Sequence, residues 1–167
     1  GRWMDDNEGN WTDFISGKKA GMTGRIEDWD LPDHDVAAID TSSFAVSYAS
    51  GLMNLCMSIA VNPVSGELAI VGTDGLNEIR FEPVLKGVFH RVNLAWLDPD
   101  FGNKRVQDLN PHLAYLVRTL PLSERRKAIG DPRGIVFNSS GTRLYVAGMG
   151  SNNLLILDAA GNRVGDP

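Results

Sequence analysis

Residues 134–158 read GIVFNSSGTRLYVAGMGSNNLLILD, which contains three apolar runs separated by small and polar residues. Residues 58–82 read SIAVNPVSGELAIVGTDGLNEIRFE and overlay them without a gap. The Gly, Ser, Pro and Asn residues between the first two runs of each copy favour tight turns. We therefore predict that each copy folds as a β-meander, in which successive antiparallel strands pair with one another.

The second apolar run of each copy predicts how the strands are covered. Residues 68–72 and 144–148 are apolar at successive positions, whereas a strand with one wet face alternates apolar and polar residues. Both faces of these strands are therefore expected to be buried. Four-stranded antiparallel meanders stacked face to face around an axis are the blades of a β-propeller. The sequence thus predicts an all-β fold built from propeller blades.

Three aspartates follow apolar runs and precede turn-like stretches, namely Asp40, Asp98 and Asp158. A carboxylate in that position can accept hydrogen bonds from the backbone N–H groups of the turn. We interpret these aspartates as turn formers rather than as catalytic acids.

The spacing of the copies predicts the domain organisation. A blade takes roughly 40–50 residues, and the larger separation of the copies leaves room for loop insertions. We predict a loop plus the outer strands of one blade in 1–50 and a whole inserted blade in 51–110. An insertion with a short helical turn, N-capped by Ser123, is expected in 111–131, and a blade lacking its last strand in 132–167. These strands are too few to close a ring, so we expect an incomplete ring that is a fragment of a longer protein.

Composition excludes several classes of function. The 167 residues carry 16 Lys and Arg against 21 Asp and Glu, a net charge of -5, so nucleic acid is a poor candidate partner. No apolar stretch approaches the 18 or so residues of a membrane span, so we expect no membrane insertion. The single cysteine, Cys56, excludes an internal disulfide, and we interpret it as a small buried apolar residue.

Residues 132–146, PRGIVFNSSGTRLYV, followed by SNNLLILD at 151–158, resemble the YVTN-type β-propeller repeat. Tyr145 and Val146 match the first half of the Tyr-Val-Thr-Asn strand end, and Ala147 and Gly148 replace the second half. The resemblance implies a periplasmic or extracellular protein of bacteria or archaea that acts as a scaffold or binding module. Its expected partner is another protein or the remaining propeller blades.

Other phrases, such as those at 31–35, 108–112 and 130–134, are similar to large bacterial extracytoplasmic propeller proteins. Some of those proteins carry a c-type haem domain of the dihaem peroxidase kind. This second resemblance implies an alternative, in which the chain is the propeller portion of a haem peroxidase-like redox protein whose haem c lies elsewhere. A propeller lactonase or lyase is a further alternative, since one fold hosts many functions. We assign no catalytic residue and no cofactor to these 167 residues.

The strongest candidate for chemistry is His34, which stands between Asp33 and Asp35 just before an apolar run. A histidine with carboxylate support can ligate a metal or act as an oriented base. The alternative is a polar cluster between loop and strand, in which the aspartates accept hydrogen bonds from backbone N–H groups.

The tryptophans divide into two groups. Trp11 and Trp29 lie in loop-like sequence rich in Gly and Asp, and we predict that they belong to a ligand-binding surface. Trp96 lies within an apolar run and is expected in the core.

Overall fold

The computed structural model describes residues 34–75, 90–115, 117 and 119–167, and before them 4–5, 11–12, 18, 20–23 and 26–27. The chain forms two units, Gly1–His34 and Asp35–Pro167. In the first unit, strand β1 (Met4–Asp5) pairs antiparallel with β2 (Trp11–Thr12), and a 3-10 helix spans Ala20–Thr23. The third run of the repeat copy 58–82, which spans residues 77–81 and is predicted to be a strand, lies outside the described residues.

The described part of the second unit consists of three antiparallel sheets and one helical turn. The first sheet contains β3 (Val36–Ile39) and β4 (Val46–Ala49). The central sheet contains, in order, β5 (Leu55–Val61), β6 (Leu68–Gly75), β7 (His90–Leu97) and β8 (Lys104–Asp108). The helical turn α1 (Leu122–Arg125) precedes the third sheet, which contains β9 (Pro132–Phe137), β10 (Arg143–Gly148) and β11 (Asn153–Asp158).

The central sheet lies between the other two, because both of its faces are apolar. On one face Leu94 and Trp96 of β7 belong to a core shared with β10 and β11 of the third sheet. On the other face Ala95 and Leu97 pack with Ala49 at the end of β4. The fold is therefore all-β, with antiparallel sheets that stack like propeller blades, as the sequence predicts.

Burial of the second strand differs between the two repeat copies. Residues 69–72 of β6 are all buried, which confirms that this strand is covered on both faces. In β10, Leu144 and Val146 are buried but Ala147 is exposed. No described sheet packs on the outer face of the third sheet, so the prediction of two covered faces stays a prediction for β10.

Trp96 lies in the core, as predicted, and is 1% exposed. Its ring lies 6.1 Å from the ring of Phe137, centroid to centroid. The guanidinium of Arg105 lies 4.4 Å from the Trp96 ring centroid, a cation–π geometry. One tryptophan therefore joins the central sheet to the third.

Two of the three predicted aspartate turns have the expected form. Asp40 Oδ1 accepts two backbone N–H groups of its turn, at 3.0 and 2.6 Å, and Asp158 Oδ1 accepts two, at 3.0 and 2.8 Å. Hydrogen bonds from neighbouring residues hold the pKa of both carboxyl groups below the usual value, so their stabilisation is lost as the pH falls through the lowered pKa. Asp98 differs, because it accepts the side-chain amide of Asn103 at 2.6 Å.

The helical turn begins two residues earlier than a cap at Ser123 predicts. Pro121 is the N-cap, and its carbonyl accepts the N–H groups of Glu124 and Arg125, each at 3.1 Å. Ser123 therefore lies inside the helix rather than at its N-cap. No helix in the described part of the chain has the length and apolar character that crossing a membrane requires.

A β-bulge in β5 fixes the identity of the residue opposite it. The pairing of β5 with β6 shifts between Cys56 and Ser58, and Gly72 of β6 pairs with Cys56. A Cβ atom added to Gly72 would lie 1.9 Å from the carbonyl oxygen of Leu55, which is far inside van der Waals contact. Only glycine fits at this position while the bulge keeps its shape.

We expect Gly72→Ala to lower the free energy of unfolding by roughly 1–3 kcal/mol or more, since the new methyl group overlaps backbone. The matched control is Gly134→Ala in β9, whose added Cβ would meet Ala147 Cβ at an ordinary 3.6 Å. Urea unfolding followed by circular dichroism measures both. Equal stability of the two variants would contradict the packing described for the bulge.

Candidate binding surface

The two ends of the central and third sheets differ in how the chain connects their strands. At one end lie four short turns, residues 62–67, 98–103, 138–142 and 159–162. The Asn62 side-chain amide donates to Gly141 O at 3.1 Å and thereby joins the turns of neighbouring sheets. The opposite end carries the connections 109–131 and 149–152, the first of which is long. Binding residues concentrate on loops that a rigid scaffold positions. This second end, the loop-bearing end, is therefore the candidate surface.

An ion pair and a tyrosine form the best-defined polar cluster at this end. Arg91 near the start of β7 donates from Nη1 to Asp108 Oδ2 at 2.8 Å. Tyr115, from the connection 109–131, donates its hydroxyl to Asp108 Oδ1 at 3.0 Å, and its ring lies under the Arg91 guanidinium at 4.3 Å. Burial, followed by the hydrogen bond to Asp108 and its charge, raises the pKa of Tyr115 well above its usual range. The tyrosine therefore stays protonated and works as a donor.

The connection 109–131 is tied at both of its ends. Asn110 is 4% exposed, and its side chain makes a pair of 2.8 Å hydrogen bonds to the backbone N–H and carbonyl of Ile129. Ser151 Oγ accepts the N–H of Gly130 at 2.9 Å, and Asn153 Nδ2 donates to Ala128 O at 2.9 Å. The β10–β11 turn thus fixes the last residues of this connection before β9 begins.

A histidine and an arginine hold the middle of the same connection. Arg163 Nη1 lies 2.9 Å from His112 Nδ1, and His112 Nε2 lies 3.2 Å from the carbonyl oxygen of Glu124. A guanidinium can only donate, so Nδ1 accepts and the histidine carries its proton on Nε2. Arg163 also donates from Nη2 to Lys127 O. His112 therefore has both ring nitrogens engaged in positioning the segment around α1.

These contacts suit recognition by a preformed surface. Both Asp108 oxygens accept hydrogen bonds from groups that come from β7 and from the connection 109–131. The Arg91 side chain remains 36% exposed, so part of its charge faces solvent. A cation held over an aromatic ring and oriented by a carboxylate presents fixed donors to a partner.

The structure describes only some of the residues that the sequence singled out. His34 is exposed, and the half-buried Asp35 accepts the backbone N–H of Leu52 on Oδ2 at 2.7 Å. Asp33 and Trp29 lie outside the described residues, and of Trp11 only the backbone, in β2, is described. Within the described part of the chain, no group of three or more His, Cys, Asp or Glu side chains is placed to hold a metal ion.

Comparison with known proteins shows a likeness of fold. No protein-family model matches this chain, and no curated protein matches it. The chain is similar in structure to hydrazine synthase of Kuenenia stuttgartiensis, a propeller-containing protein, with a TM-score of 0.52 and 18% sequence identity. The match covers 72% of this chain and 32% of that chain. The likeness shows the fold alone, which is of the β-propeller type.

We expect Tyr115→Phe to lower the free energy of unfolding by about 1–3 kcal/mol, because it removes a hydrogen bond to a charged, half-buried carboxylate. The matched control is Tyr145→Phe, since the Tyr145 hydroxyl has no hydrogen bond to a described residue. Thermal unfolding measures both variants. The difference between the alkaline absorbance titrations of the parent and Tyr115→Phe should place the Tyr115 transition above the usual tyrosine range. A transition in that usual range would contradict the cluster.

Proposed function

We propose that this chain is part of an extracytoplasmic β-propeller that serves as a scaffold or binding module, and that it is a segment of a longer protein. The observation that carries the proposal is the stack of three sheets whose two outermost faces are apolar. The YVTN-like repeat in residues 132–158 supports the extracytoplasmic location. The net charge of -5 favours a protein as the partner over a nucleic acid.

The outer face of the third sheet supports the presence of a further blade. Val136 of β9 and Leu154 of β11 are 58% and 49% exposed, and Tyr145 and Ala147 of β10 share their face. The repeat places Val136, Tyr145 and Ala147 at the positions of Ala60, Ala69 and Val71 in the central sheet. Those three central-sheet residues pack in the core shared with the third sheet. The same positions in the third sheet are therefore ready to pack against another sheet.

The outer face of the first sheet has the same character. Ile39 pairs with Val46 and Ala37 pairs with Tyr48, so these four side chains point to the face opposite the central sheet. Ile39 is 61% exposed and Val46 is 47% exposed. Burial of apolar surface contributes about 25 cal/mol of stabilising free energy for each Å2 removed from water. Both outermost faces therefore favour a neighbouring sheet. A blade on each side continues the stack toward a ring.

The loop-bearing end supplies the binding role. The Arg91–Asp108–Tyr115 cluster lies there, and the connection 109–131 is held by Asn110 and by the β10–β11 turn. A partner with an acceptor group, such as a carboxylate or a backbone carbonyl, suits the exposed part of the Arg91 guanidinium. The scaffold thus offers a fixed surface whose specificity depends on the connections at this end.

We expect Val136→Asp to destabilise the longer protein by more than about 2 kcal/mol, since a further blade would bury an unpaired carboxylate. In the 167-residue chain alone the same change should be nearly neutral, because Val136 is 58% exposed there. The matched control is Val64→Asp, in a turn where Val64 is 74% exposed, and it should be neutral in both proteins.

Thermal unfolding of the three proteins in each background tests the proposal. A Val136→Asp variant of the longer protein that is as stable as Val64→Asp would mean that no blade covers the third sheet. That result would contradict the proposal that the chain is part of a propeller scaffold.

A further inference from the structure

An arginine ties the end of the third sheet to the connection 109–131. Arg163 follows β11 and bridges back to Leu157 of that strand. Its guanidinium reaches His112 from Nη1, at 2.9 Å, and the carbonyl oxygen of Lys127 from Nη2. These two partners lie 51 and 36 residues earlier in the chain, so one side chain holds together segments that are distant in sequence.

The contact between Arg163 and His112 requires a neutral histidine. All N–H groups of a guanidinium are donors, so the bond at Nδ1 uses the lone pair of that nitrogen. The other ring nitrogen, Nε2, carries the proton and faces the carbonyl oxygen of Glu124 at 3.2 Å. A protonated histidine has a hydrogen on both nitrogens and no acceptor left for Arg163. Protonation of His112 therefore breaks this hydrogen bond and places a second positive charge beside the guanidinium.

Water screens little of the resulting repulsion, because the Arg163 side chain is partly buried. Burial lowers the pKa of Arg163, while the charges of Asp166 and Asp108 act against that shift. The Nε atom of Arg163 is buried and has no hydrogen-bond partner among the described residues. Charges interact more strongly where less water surrounds them. A protonated His112 therefore repels Arg163 more strongly than a fully exposed histidine would.

The other charged groups around His112 come from three parts of the chain. Lys127, which follows α1, lies 3.8 Å from Glu124 Oε1 and 3.6 Å from Asp166 Oδ2. Asp108, at the end of β8, belongs to the polar cluster of the loop-bearing end. Both ring nitrogens of His112 are already engaged, so these carboxylates do not bond the ring. Histidine is the side chain that ordinarily changes charge between about pH 5 and 8, so mild acid acts on this cluster through His112.

We infer that His112 and Arg163 form a pH-sensitive switch. At neutral pH the imidazole accepts a hydrogen bond from Arg163 and keeps residues 163–166 docked on the residues around α1. As the pH falls, His112 gains a proton, the guanidinium is repelled, and residues 163–166 separate from the connection 109–131. Tyr115 lies in the same connection, so mild acid loosens the candidate binding surface. The switch needs no partner and does not depend on the function proposed above.

Amide hydrogen exchange of the 167-residue chain at about pH 7.5 and about pH 5.5 measures the switch on both sides of the usual histidine range. Rates are expressed as protection factors, which removes the pH dependence of the exchange chemistry itself. Protection of residues 111–115 and 122–128 should fall at least about fivefold in acid, since the hydrogen bond and its favourable geometry are lost. Protection of residues 69–72 in β6 should stay the same.

Two variants separate a switch from a merely structural contact. His112→Asn keeps an acceptor near the position of Nδ1 and cannot titrate, so its protection factors should agree at the two pH values. Arg163→Gln replaces a group that only donates with an amide that can turn its oxygen toward a protonated His112, so it should also lose the pH response. The matched control, His90→Asn, removes an exposed histidine of β7 and should respond like the parent.

Two outcomes would overturn the inference. One is a parent chain whose protection at 111–115 and 122–128 is the same at both pH values. The other is a pH response that persists in His112→Asn, because another group would then be titrating. Circular dichroism at neutral pH checks that each variant folds, and Arg163→Gln carries the same test if His112→Asn does not.

Discussion

Strands β6 and β7 carry apolar side chains on both faces, and the rest of the second unit is arranged to keep both faces out of water. Leu94 and Trp96 are covered by the third sheet, while Ala95 and Leu97 are covered by the end of β4 and the residues that follow it. All four are 0–1% exposed. Removing such side chains from water contributes about 1.5–3 kcal/mol for each large residue. The sheets therefore stack, and the stacking fixes which connections lie at each end.

The continuous apolar run at 68–72 predicted a strand covered on both faces, because five apolar residues that follow a turn-forming stretch are too short a run for a buried helix. The equivalent run at 144–148 predicts the same for β10. No described sheet packs on the outer face of β10, and Ala147 is exposed there. The Asp40 and Asp158 turns were predictable because a carboxylate bonds the backbone two to four residues onward. Asp98 departs from the pattern: it accepts the side-chain amide of Asn103, and Asp100 accepts the backbone N–H of Gly102 in that turn.

The polar cluster at the loop-bearing end could not be found from the sequence. Arg91 and Asp108 meet because β7 pairs with β8, which the strand pattern allows, but Tyr115 reaches them only through the path of the connection 109–131. That path depends on Asn110 and Ile129, which are 19 residues apart in the chain. The structural likeness to hydrazine synthase shows the fold type alone. It assigns no chemistry, since propellers of one architecture host unrelated functions.

The stack itself can be tested most directly by hydrogen exchange of backbone amides in the 167-residue chain. Amides in residues 69–72 of β6 and 94–97 of β7 should be the slowest to exchange, since their sheet is covered on both faces. Amides of β3, which pairs with β4 alone among the described residues, should exchange at least about tenfold faster. Exchange in β6 as fast as in β3 would contradict the central sheet as the protected middle of the stack.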